Sequence, residues 1–169
     1  RSRDLRAQLS NGAAEQIIGI SWRSASETTG ASRSLELEAF IKPLAQAGRR
    51  FVNLQYGETN REVNEAIAGL GLDIISVDSV NNSDDIDGLA ALISACDKVV
   101  SSANATVHLA GALNKETHVL VPTIADWRWQ SDRADSPWYQ SVRLHRQSQP
   151  DQWDDVLASI ARELKSGRA

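Results

Sequence analysis

Residues 98–122, KVVSSANATVHLAGALNKETHVLVP, constrain the fold of this chain more than any other stretch. A short apolar run from Lys98 rises into polar residues, a helical pattern carrying Val107, Leu109, Ala110, Ala112 and Leu113 follows, and Thr117 to Val121 is a second apolar run. The stretch therefore reads as buried strand, tight polar turn, helix and buried strand. Asn104 is the expected N-cap, which aims the amides of Ala105, Thr106 and Val107 into the turn. The Thr106 hydroxyl sits beside them. Helical side chains lean toward the N-terminus, so His108, one turn on, is expected to lean back to the same spot. An anion would fit such a turn, although most turns of this kind in α/β domains hold nothing and a lone histidine near a helix start is more often structural.

The remaining strands and helices follow the same rhythm. Ile17 to Ser21 (IIGIS), Arg50 to Gln55 (RFVNLQ) and Ile74 to Val77 (IISV) read as strands, and Val142 to His145 as a short sixth one. Between them lie helices marked by Leu37, Phe40, Ile41, Leu44 and Ala45, with Gly48 as the stop and Pro43 as an expected kink; by Val63, Ala66, Ile67 and Leu70, ended by Gly69 or Gly71; and by Ile86, Leu89, Ala90, Ile93 and Cys96. The chain closes on an amphipathic helix with Trp153, Val156, Leu157, Ile160, Ala161 and Leu164 on one face, Asp151 in front and Gly167 behind. Alternating strands and helices imply an α/β fold: a three-layer, Rossmann-like, doubly wound and mainly parallel sheet of about six strands, with helices on both faces. Residues 1–16 read as a linker or N-terminal extension and 17–169 as one domain.

Composition narrows the function. A chain of 169 residues, 41% hydrophobic, supports one substantial core. Its net charge of -4 and lack of a Lys/Arg block argue against a broad nucleic-acid footprint. Cys96 is the only cysteine and falls on an apolar helix face, as a buried thiol would; His108, His118 and His145 have no zinc-like spacing, so no metal site is expected. No apolar stretch approaches a membrane span, and a soluble, cytoplasmic protein is the expectation. The chain opens RSRDLRAQL and contains no methionine, which points to a piece of a longer protein.

In a doubly wound sheet, ligands bind where the strand order reverses. Two loops meet there: 21–34, SWRSASETTGASRS, which carries Arg23 and Arg33, and the SSANAT turn. Together they would make an anion site of amides on one side and guanidinium groups on the other. Standing alone, the two arginines would read as solvated loop charge. Neither G-x-G-x-x-G nor G-x-x-x-x-G-K-S/T occurs at the strand ends, and no nucleophile elbow is visible. The loop DWRWQSDRADSPWY sets Trp127, Trp129 and Trp138 among Asp126, Arg128, Asp132, Arg133 and Asp135, where aromatics would either stack on a base or sugar or pin the loop to the core. Glu58, Glu62 and Asp78 lie near strand ends as ribose candidates or as plain helix-start charge.

IGISW, RSLELEAFIKPLAQAG, RFVNLQYG, SSANATVHLAGALNK and DWRWQSDRADSPWYQSVRLHRQ together resemble the C-terminal half of a GT-B glycosyltransferase. They are similar to the ADP-heptose:lipopolysaccharide heptosyltransferase superfamily, above all to the heptosyltransferase-like domains that follow tetratricopeptide repeats in bacterial proteins. The resemblance covers residues 17–165. It implies a domain that binds a nucleotide-sugar donor, with the diphosphate at Asn104, Ala105, Thr106 and His108, Arg33 standing for a phosphate-binding lysine and Glu62 near the ribose. Arg23 would join the donor site, and Trp127, Asp126 and Arg128 would contact base or sugar. Ala103, Asn104 and Ala105 depart from the family's D-T/S-G-x-x-H pattern. The resemblance implies no metal and no cofactor, an N-terminal GT-B domain or tetratricopeptide repeats as partners, and no catalytic residue in this chain. A non-catalytic interaction module is the alternative; a sugar-nucleotide epimerase with the same half-fold ranks third, behind both, because its family motifs are not recognisable.

Overall fold

Six strands pair in parallel in the order β3-β2-β1-β4-β5-β6. They are β1 (Gln16–Ser21), β2 (Arg49–Asn53), β3 (Ile74–Ile75), β4 (Lys98–Ser102), β5 (Thr117–Val121) and β6 (Val142–Arg146). The computed structural model describes residues 1–10, 16–46 and 48–166. Helices α1 (Ser2–Leu9), α2 (Leu37–Ile41), α3 (Asn60–Leu70), α4 (Ile86–Ala95), α5 (Ala105–Ala112) and α6 (Asp154–Ser166) cover both faces. The expected doubly wound α/β architecture is the one observed.

Alternate strand residues serve opposite faces, so the near-continuous apolar runs feed two cores. Ile18, Ile20, Phe51, Val100 and Leu120 pack against α2, α3 and α6. On the other face Ile17, Val52, Leu54 and Val99 meet α1 and α4, and Val119, Val121 and Leu144 meet Val107 of α5 and Trp129. Each fully buried aliphatic or aromatic side chain contributes about 1.5–3 kcal/mol relative to exposure.

Local details correct several sequence expectations. The stretch read as a linker or N-terminal extension contains α1, whose Leu5 and Leu9 are buried beside α4. Arg6 fastens it by donating to the Ala95 carbonyl at 2.8 Å and pairing with Asp97 at 2.9 Å. α2 ends at Ile41 and tightens into a 3-10 turn, Lys42–Leu44, because Pro43 supplies no N–H. Gly48 is thus no helix stop; it has φ +78 and its carbonyl accepts from the Gln16 amide at 2.8 Å, leading into β2. α3 stops on Gly71, left-handed at φ 63, and not on Gly69. Ile86 is the first residue of α4 and 68% exposed, too early to reach the core. Asp151 does not cap α6, since the Leu157 amide bonds to the Trp153 carbonyl, two residues further on. Gly167 lies outside the described residues. Among those residues, no helix is long and apolar enough to cross a membrane.

Candidate functional site

The strand order reverses between β1 and β4, and the loops that leave their C-terminal ends meet there. Buried side-chain hydrogen bonds fasten them. Asn104 caps α5 by accepting from the Thr106 amide at 3.0 Å, while its Nδ2 donates to Ser21 Oγ at 2.7 Å and to the Arg23 carbonyl at 2.9 Å. Gln55 Oε1, just past β2, accepts from Ser21 Oγ and from the Trp22 and Arg23 amides at 2.9–3.0 Å. Ser101 Oγ donates to Asn104 Oδ1 at 3.2 Å. A polar core thus holds three strand ends in one geometry. Sequence reasoning assigned no role to Ser21, Gln55 or Ser101; the available signal was polar residues closing otherwise apolar strands.

Arg33 reaches this point from the 3-10 turn Ala31–Arg33, and its Nη1 donates to the Ala103 carbonyl at 3.3 Å. A guanidinium therefore stands directly before the N-terminus of α5. Ala105 is exposed there, whereas Thr106 is 1% exposed and its hydroxyl has no hydrogen-bond partner. Arg33, Asn104, Ala105 and Thr106 converge as the sequence implied. Arg23 and Glu62 do not join them as free groups. The Arg23 guanidinium pairs with Glu62 Oε1 and donates to the Glu58 carbonyl at 2.6 Å, and Glu62 Oε2 accepts from Trp22 Nε1 at 2.7 Å. An arginine and a carboxylate half-buried side by side neutralise each other, which is why they form a strut between β1 and α3. Asp78 lines a 150 Å³ cleft at the ends of β2 and β3 with Asn53, Thr59, Ser76 and Asn82.

His108 also departs from expectation. Its ring stacks on Trp129 at 5.2 Å, and Nδ1 lies 3.2 Å from the Tyr139 hydroxyl, so the aromatic loop claims it in place of the turn. Burial, aided by the nearby Arg128 charge, keeps His108 below the ordinary imidazole value despite Asp126. The three loop tryptophans divide their roles. Trp129 is 2% exposed and packs in the core, while Trp127 and Trp138 are 67% and 56% exposed and meet edge to face at 5.9 Å. Arg128 lies 4.6 Å over the Trp127 ring and pairs with Asp126 at 2.8 Å. Burial pushes the Asp126 carboxyl up, but the Arg128 amide and guanidinium, with Arg33 further off, hold it below the usual range. Among the described residues, metal-ligating atoms converge at His118, His145 and Glu163, and not at the switch point.

This arrangement defines a class: a Rossmann-like, doubly wound α/β domain whose loops are fastened together at the β1/β4 switch point. Three solved structures share this fold. Escherichia coli ADP-heptose lipopolysaccharide heptosyltransferase II superposes with a TM-score of 0.66 at 17% identity, over 98% of this chain and 50% of that one. A glycosyl transferase family 9 protein from Veillonella parvula gives 0.55 at 12% identity, over 98% and 45%. The wall teichoic acid polymerase TagF gives 0.52 at 12%, over 98% and 35%. In sequence, the chain is 30% identical over 161 residues to Protein FlbA of Caulobacter vibrioides, covering 95% of this chain and 27% of FlbA. No protein-family model matches. The chain spans half of the heptosyltransferase and about a quarter of FlbA, and what it shares with the solved structures is the glycosyltransferase-type fold.

Proposed function

We propose that this chain is the donor-binding domain of a bacterial glycosyltransferase, corresponding to the C-terminal half of a GT-B enzyme and holding the diphosphate of a nucleotide-sugar at the N-terminus of α5. The carrying observation is the Arg33 guanidinium 3.3 Å from the Ala103 carbonyl, beside a capped helix start. A helix N-terminus carries a partial positive charge and directed amides, and a guanidinium adds a full charge and a fork of donors. Trp127, with Arg128 over its ring, offers a surface for the base or sugar. Such a site would stabilise a leaving diphosphate with side chains and the helix dipole, so transfer would need no metal. The acceptor and the catalytic base would come from a second domain across the cleft.

Thermal denaturation with UDP, GDP, ADP and CMP, each against its nucleoside, tests the reading. A diphosphate bound at α5 raises the melting temperature while the nucleoside leaves it unchanged; a ligand at one hundred times Kd stabilises by about 2.7 kcal/mol. Equal shifts from both, or none from any, would remove the diphosphate site.

One observation favours a second reading, a non-catalytic GT-B-like interaction module of a tetratricopeptide-repeat protein. Glu62, the residue the resemblance puts at the ribose, is taken up by Arg23 and Trp22. Sugar transfer by the chain joined to its natural flanking domains would decide for the enzyme.

A further inference from the structure

We propose that His118, His145 and Glu163 bind a divalent transition-metal ion, zinc foremost, which ties α6 to β5 and β6. The site is separate from the diphosphate site. Strand register creates it: His118 pairs with Arg143, so His145, two residues along β6, faces the same side of the sheet. α6 crosses that side and delivers Ser159 and Glu163 from successive turns.

The distances suit the ion. His118 Nδ1 and His145 Nε2 are 3.1 Å apart, and Glu163 Oε2 is 3.6 Å from the first and 4.0 Å from the second. A triangle with sides 3.1, 3.6 and 4.0 Å has a circumradius of about 2.1 Å, so one point lies about 2.1 Å from all three atoms. That is the length of a zinc bond to imidazole nitrogen or carboxylate oxygen. Two imidazoles and one carboxylate form a set that transition metals bind in preference to magnesium or calcium.

The groups behind these ligands are compatible with a tautomer that binds metal. Glu116 Oε1 stands 3.4 Å from His118 Nε2, itself fixed by Lys98 at 2.7 Å, and Ser159 Oγ lies 3.3 Å from His145 Nδ1. In the tautomer with the ring protons on those outer nitrogens, the inner two and the Glu163 carboxylate all present lone pairs to the space between them. A cation between them removes that repulsion. His118 and His145 are 1% and 8% exposed, so the sheet and α6 hold both rings in place. A 280 Å³ groove lined by Arg143, His145, Ser159 and Glu163 opens beside them and provides entry and a place for a fourth, water ligand.

The chelator-stripped chain, titrated with Zn²⁺ against a chromophoric chelator, should bind one ion per chain and gain melting temperature, and Mg²⁺ at millimolar concentration should not displace it. Co²⁺ in the same site should show the visible absorption of a four-coordinate ion. Glu163→Gln lies on a half-exposed side chain and tests the site without emptying the core. It should weaken Zn²⁺ by roughly tenfold or more, and His145→Asn, shown folded by circular dichroism, by more still. Failure to bind at one ion per chain, or equal affinity in wild type and both variants, would overturn the site.

Discussion

Arg33 and Ala103 are 70 residues apart in the chain, yet the guanidinium of one donates to the carbonyl of the other at 3.3 Å. The contact spans the point where the strand order reverses and brings the long loop after β1 to the turn before α5. That carbonyl is one neutral acceptor for a group with five donors, so most of the guanidinium's capacity is left for an anion.

Replacing Arg33 with Ala should therefore weaken nucleoside diphosphate binding by roughly 1.5–3 kcal/mol, the scale of hydrogen bonds to a charged group. Unliganded stability should barely change, because a half-exposed loop contact contributes little. Isothermal titration beside a denaturation curve separates the two. Unaltered affinity in a folded variant would take Arg33 out of the site.

Asn104 ties the loop after β1 to its own turn through a single amide group, and Asn104→Ala should cost roughly 1–3 kcal/mol by leaving buried partners unpaired and the helix uncapped. Asn104→Asp keeps the acceptor for the Thr106 amide but loses both donors, so it should fall between wild type and Ala. Urea midpoints give the order, and an Asp variant as stable as wild type would show that the donors contribute nothing.

His108 titrates below its ordinary value in the folded chain, chiefly through burial and then through Arg128. As pH falls, the unfolded chain takes up this proton first, so stability is lost from about pH 6.5 downward, toward the lower folded value. Melting temperature should fall less steeply between pH 7 and 5 in His108→Gln than in wild type. Parallel profiles would mean that His108 contributes nothing to the slope.

Cys96 is 2% exposed, and burial pushes its thiol up to about 12. At pH 8 the thiolate would be about one part in ten thousand, so a maleimide should leave the native chain unlabelled and modify it only on unfolding. Labelling of native protein within minutes would contradict this burial.

Much of the fold was legible because each strand and helix announces itself by local periodicity. IIGIS, the Val99–Val100 pair and the Val119–Val121 run mark strands buried on both faces, and Asn104 before ATVHLAGA is a cap recognisable from residue type alone. The convergence of Arg33 with the α5 turn also followed, since strand order in a doubly wound sheet decides which loops are neighbours. Other assignments went astray where local pattern was ambiguous. RSRDLRAQL has too few apolar residues to look like a docked helix, and its burial rests on the surface that α4 presents to it.

Residue order alone thus determined the α/β architecture, the place where the two loops meet and the residue types found there. Only the tertiary structure decided which charges are free and which are consumed. Arg23 and Glu62 are 39 residues apart and cancel each other; His108 belongs to the tryptophan loop; Gln55 binds the β1 loop from the end of β2. His118 and His145, 27 positions apart, show no metal-binding spacing along the chain and become neighbours only through the register of β5 and β6. Periodicity is a property of the backbone and is written locally. Pairing of polar side chains depends on distances of a few ångström between segments remote in sequence, and those exist only once the sheet has formed.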